Sequence, residues 1–127
     1  MKRRSRLVNK LEVGFGEEIH RLRRQRRLTI ERTAEETGVS RTLISDAERN
    51  CYAPTADTVR ILAEHLAPAG QVDSLIALAG ETYGRLEFPV DGLDRERIEV
   101  LVQLGRRLKD VPPAGLKTIR SVLASVA

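Results

Sequence analysis

Between Thr29 and Asn50, two short amphipathic segments are separated by only Gly38, Val39 and Ser40, and this spacing constrains the fold more than any other feature of the chain. Thr29 suits an N-cap, because its hydroxyl can accept a hydrogen bond from an orphan backbone N–H. The helix that follows is expected over Ile30–Thr37 and to stop at Gly38, which tolerates the left-handed conformation at a helix end. Ser40 offers a second cap. A third helix is expected over residues 41–49, with Ile44 and Ala47 inward and Asn50 as a left-handed stop. Ala34 is small enough to let the two helices approach, and Val39 plugs the angle between them.

The flanking sequence extends the helical pattern. Phe15, Ile19 and Leu22 recur at i, i+4 and i+7, predicting a first helix over 15–26. Thr55 is expected to cap a fourth helix to about Leu66, with Ala56, Val59, Leu62, Ala63 and Leu66 on one face. A short fifth helix is expected over 71–79, ending at Gly80. Residues 81–92 lack periodicity and contain two glycines and a proline, and so predict a linker. Ile98, Leu101, Leu104 and Leu108 then form one apolar stripe and Leu116, Ile119, Leu123 and Val126 another, with Pro112 and Pro113 turning the chain between them. The expected organisation is an arm over 1–14, a five-helix domain over 15–80, a linker over 81–92 and a helical hairpin over 93–127. An all-α fold also suits a chain with 3% aromatic residues, no Trp and 41% hydrophobic residues, since strands enrich aromatics.

The motif residues carry a family resemblance. Phe15-Gly16-x-x-Ile19-x-x-Leu22-Arg23, Leu28-Thr29, Ala34-x-x-Thr37-Gly38-Val39-Ser40-Arg41-x-x-Ile44-Ser45-x-x-Glu48-Arg49-Asn50 and Pro54-Thr55-x-x-Thr58 resemble the phage-repressor-like (lambda repressor-like, Xre-type) helix-turn-helix family over residues 15–67. The resemblance implies a five-helix domain that binds double-stranded DNA, with its third helix in the major groove. It makes Arg41, Thr42, Ser45 and Asp46 candidates for base contacts. Arg can bridge guanine O6 and N7, hydroxyls can meet a base edge or a phosphate, and a carboxylate can accept from cytosine N4. Thr29, Ser40, Arg49 and Asn50 become candidates for the DNA backbone. The resemblance further implies that Arg23 and Glu48 form an internal ion pair. Two positions depart from the family pattern: Ile30 stands where Gln is frequent, putting one phosphate contact in doubt, and Thr33 stands where Leu is usual, predicting a looser core.

Charge points the same way. Residues 1–27 carry a net +7 and the other 100 residues −3, against +4 overall. A basic end on an otherwise acidic chain fits a polyanion partner, although a solubilising tail would carry the same charge. Lys2, Arg3, Arg4 and Arg6, with Lys10, are expected to touch phosphates, and Arg21, Arg24, Arg26 and Arg27 to face phosphates or solvent. Each neutralised phosphate steepens the salt dependence of binding by about 0.9 log units per log unit of salt.

Catalysis is not expected. His20 and His65 look isolated, Cys51 has no neighbouring His, no residues have metal-ligand spacing, and no cofactor motif is present. One cysteine forms no intrachain disulfide, and the basic start lacks a signal peptide's apolar run, so a cytoplasmic location is the expectation. The expected function is a homodimeric transcriptional repressor of a palindromic operator, with residues 93–127 either dimerising or packing back on their own chain. An antitoxin-like or other interaction regulator, whose hairpin binds a partner protein, is the rival reading, and a nonspecific nucleic-acid binder a third.

Overall fold

The computed structural model describes residues 13–126. Among the described residues it contains seven α-helices and no strand: α1 (Phe15–Gln25), α2 (Ile30–Thr37), α3 (Arg41–Glu48), α4 (Ala56–Leu66), α5 (Val72–Tyr83), α6 (Arg95–Arg107) and α7 (Pro113–Ala124). The chain divides into two compact units, the first ending at Phe88 and the second beginning at Pro89.

In the first unit, local cap chemistry sets the helix starts. Thr29 accepts from the Arg32 N–H at 3.0 Å, Ser40 from Leu43 at 3.1 Å and Thr55 from Thr58 at 3.2 Å. Such caps contribute about 1 kcal/mol each. Gly38 ends α2 at φ +80°, and Asn50 closes the turn after α3 at φ +56°. The core is aliphatic apart from Phe15, whose ring meets Tyr83 edge-on at a centroid distance of 6.2 Å. Phe15, Ile19, Ile44, Leu62 and Ala63 are fully buried. Helix α1 lies centrally, packed on α3, α4 and α5, and α2 packs on α3 and α4.

One helix end differs from the expectation. Helix α5 runs through Gly80 to Tyr83 and stops at Gly84, which takes φ +77°. Gly80 is an internal helix residue where the chain folds back: a Cβ there would come within 2.7 Å of the Leu86 side chain. Thr33, expected to loosen the core, is fully buried, and its hydroxyl donates to the Thr29 carbonyl at 2.9 Å. The hydroxyl is satisfied, so Thr33 leaves no orphan polar group in the core.

The second unit consists of α6, a 3-10 turn over Leu108–Asp110, and α7, whose first residue is Pro113. Asp94 caps α6 by accepting from the Arg97 N–H at 2.9 Å. None of its described residues is buried; Ile98, Leu104, Val111 and Ile119 are half-buried, whereas Leu101, Leu108, Leu116, Val122 and Leu123 are exposed. Helix α6 packs mainly on the turn, and α6 and α7 approach one another closely at few points. The expected hairpin is therefore a helix pair whose apolar stripes are largely uncovered.

Candidate nucleic-acid interface

The geometry begins with α3. Ile44 and Ala47 pin one side of this helix into the core, and Val39, 6% exposed, fills the angle between α2 and α3. The opposite side is open. Arg41 and Thr42 are exposed there, Ser45 and Asp46 half-buried, and together with Arg49, Ile30 and Glu31 they line one shallow hollow. All four candidate base-contacting residues are thus on a single outward surface. Ile30, despite its departure from the family pattern, lines this hollow with part of its side chain packed against the core.

Two ion pairs cross the surface. Arg41 lies 3.5 Å from Glu31, and Arg49 lies 3.1 Å from Asp46. Exposed pairs of this kind contribute at most about 1 kcal/mol, so a base edge or phosphate can displace them. Arg49 engages only Oδ1 of Asp46, which leaves Oδ2 as the acceptor for a cytosine amine. Glu31 was not among the expected site residues; its position in the first turn of α2, ten residues before Arg41, gave no local signal of their meeting.

The proposed backbone-contacting residues fall into two groups. Thr29 and Ser40 use oxygen lone pairs as caps, which leaves each hydroxyl proton available to donate. Arg49 is exposed. Asn50, by contrast, has its side chain committed inward: Nδ2 donates to the Glu17 carboxylate at 3.1 Å, and Oδ1 accepts from the Tyr83 hydroxyl at 3.2 Å. Its position fixes the end of α3 instead of presenting an amide to a phosphate. Lys2, Arg3, Arg4, Arg6 and Lys10 lie outside the described residues.

Beneath the surface, Arg23 and Glu48 meet. Arg23 Nε donates to Glu48 Oε2 at 2.6 Å and Nη2 to Oε1 at 3.0 Å, while Nη1 donates to the Leu28 carbonyl at 2.7 Å. Both side chains are under 10% exposed. His20 joins them, with Nδ1 2.7 Å from Glu48 Oε1. Burial pushes the Glu48 carboxyl up, but hydrogen bonds from Arg23 and His20 and their charges outweigh it, and the group titrates below the usual carboxylate range. The network clamps α1 to α3. His65 similarly pairs with Glu36 at 2.8 Å, linking α4 to α2, and the Arg32 and His65 hydrogen bonds lower the Glu36 carboxyl. Neither histidine is isolated, which corrects the reading from sequence; each partner is 28 or 29 residues away along the chain and invisible to spacing.

The remaining basic residues of α1 are only partly available to a polyanion. Arg21 holds Glu18 at 2.6 Å, and Arg26 donates to the His65 carbonyl. Arg24 and Arg27 are exposed.

Comparison with known proteins agrees with this geometry. A family model described as a helix-turn-helix domain matches residues 15–75, which span α1 to α4 and the start of α5. No curated protein and no solved structure matches the chain. Among the described residues, no helix is long and apolar enough to cross a membrane. An outward-facing α3 held at a fixed angle to α2 is the arrangement by which such domains enter the major groove, and it points to a DNA-binding regulator. Residues 15–75 form a helix-turn-helix domain similar to that family.

Proposed function

We propose that this protein is a sequence-specific transcriptional repressor that binds a palindromic operator as a homodimer, acts in the cytoplasm and performs no catalysis. The observation that carries the reading is the outward surface of α3, where Arg41, Thr42, Ser45 and Asp46 share one side while Ile44 and Ala47 anchor the other. Arg41, in the first turn of the helix, is the residue best suited to a guanine. Arg41→Ala is expected to weaken binding to the preferred duplex by about 1–3 kcal/mol and to relax preference at one base pair. Selection of bound duplexes from a random pool, repeated with the variant, measures both effects. Equal weakening on every sequence sinks the base-reading role.

The second unit supports the dimer. A helix pair of about 40 residues with none of its described residues buried lies at the lower limit of what folds without a partner. Two copies can cover each other's stripes and set two α3 helices about 34 Å apart, one turn of DNA. Removing the chain after Phe88 leaves the first unit's core intact, since every residue of that core precedes the cut. The truncated protein is expected to be monomeric by sedimentation and to lose affinity for the selected palindrome. A truncated protein that still dimerises and binds assigns α6 and α7 to a different protein partner.

A further inference from the structure

Leu43 is the third residue of α3 and is 51% exposed. Among the described residues of α1–α5 it is the one large apolar side chain left exposed. Core packing does not account for it, because α3 buries only Ile44 and Ala47. It also lies outside the hollow that gathers Arg41, Thr42, Ser45 and Asp46. At about 100° per residue, Leu43 continues the outward surface beyond Thr42, on the side away from Arg41 and Glu31. Its placement is firm: the Leu43 N–H donates to the Ser40 hydroxyl at 3.1 Å, which locks the first turn of the helix.

Arg41, Thr42, Ser45 and Asp46 offer donors and acceptors for the polar atoms of base edges. The Thr42 methyl is small and Ile30 is partly packed against the core, so Leu43 supplies the most exposed apolar side chain of this face, and the major groove presents one apolar group, the C5-methyl of thymine. The N-terminal residues of a recognition helix sit nearest the base edges. We infer that Leu43 packs against a thymine methyl in the major groove and is a sequence-reading residue beside Arg41 and Thr42. This rests on the DNA-reading role of α3 proposed above. Free Leu43 leaves apolar surface in water, and the methyl contact removes area from both partners.

The test uses the full chain and the duplex selected from a random pool. Each thymine in that duplex is replaced singly by uracil, which deletes only the methyl group. One replacement is expected to weaken wild-type binding roughly fourfold, the factor that corresponds to ~0.8 kcal/mol for one methyl-sized group at 1.4 kcal/mol per tenfold. Leu43→Ala is expected to bind the thymine and uracil duplexes equally, with an unchanged melting temperature because the side chain lies outside the core. A selected duplex in which no uracil replacement weakens wild-type binding overturns the inference alone. So does a uracil penalty that persists in Leu43→Ala, since another residue then reads the methyl. A pool that yields no preferred duplex overturns the sequence-specific reading of α3, and Leu43 with it.

Discussion

Glu48→Ala is expected to remove about 3–5 kcal/mol of folding stability, a large share of what a domain of this size possesses. The physical reason is the charge left behind. Arg23 is 7% exposed and has its guanidinium aimed at the Glu48 carboxylate and the Leu28 carbonyl. Without the carboxylate, a cation stays buried with one neutral acceptor and a histidine beside it. Urea denaturation measures the loss, and a variant as stable as the wild type overturns the clamp. Replacing both partners by apolar residues of similar volume is expected to restore most of the stability, since it removes the orphaned charge as well as the pair. The pH dependence has a defined sign. Glu48 titrates lower in the folded than in the unfolded state, so its contribution is fully present above the usual carboxylate range. It is lost as pH falls through the depressed folded value. Stabilities of wild type and Glu48→Ala should therefore converge in acid.

Gly16→Ala is the second large effect. A Cβ at this position would lie 2.8 Å from the Glu48 carbonyl oxygen and closer still to that of Ala47, with Asn50 Oδ1 at 2.6 Å. Two of these atoms are backbone, and no rotamer change moves them away. Alanine gains roughly 1 kcal/mol over glycine in a helix, but overpacking costs about 1–3 kcal/mol even where side chains can yield. Because backbone atoms cannot yield, the upper end of that cost applies and the clash is expected to win, with a net loss of about 2 kcal/mol and displacement of α3 from α1. Thermal unfolding checks the first, and weaker binding of the selected duplex the second. A more stable variant would show that the helices do not approach this closely.

These two residues also mark how far the sequence could be read. Helix starts were legible at Thr29, Ser40 and Thr55 because a cap is a contact over three residues. Gly38 and Asn50 were legible as stops for the same local reason. Gly80 misled because a glycine that admits a neighbouring side chain looks, in sequence, like one that ends a helix. The Arg23–Glu48 pair was expected through family resemblance alone. His20 on Glu48, and the join of Glu17, Asn50 and Tyr83, depend on tertiary folding over 28 to 33 residues and left no periodic trace. In the second unit the stripes were visible, but periodicity reports only that a face is apolar, never what covers it.

The two ion pairs on the outward surface of α3 bear on how such a face searches. Glu31, Arg41, Asp46 and Arg49 sum to zero charge, so each cation already has a carboxylate in reach. A random stretch of duplex offers phosphates but mismatched base edges, and the phosphates must compete with carboxylates that are tethered nearby. Only a sequence that also supplies matching base edges repays the exchange. On the proposed sequence-reading role of α3, the built-in acids shorten the time spent on wrong sites, and selectivity then arises as much from weakened chance encounters as from a tight final fit.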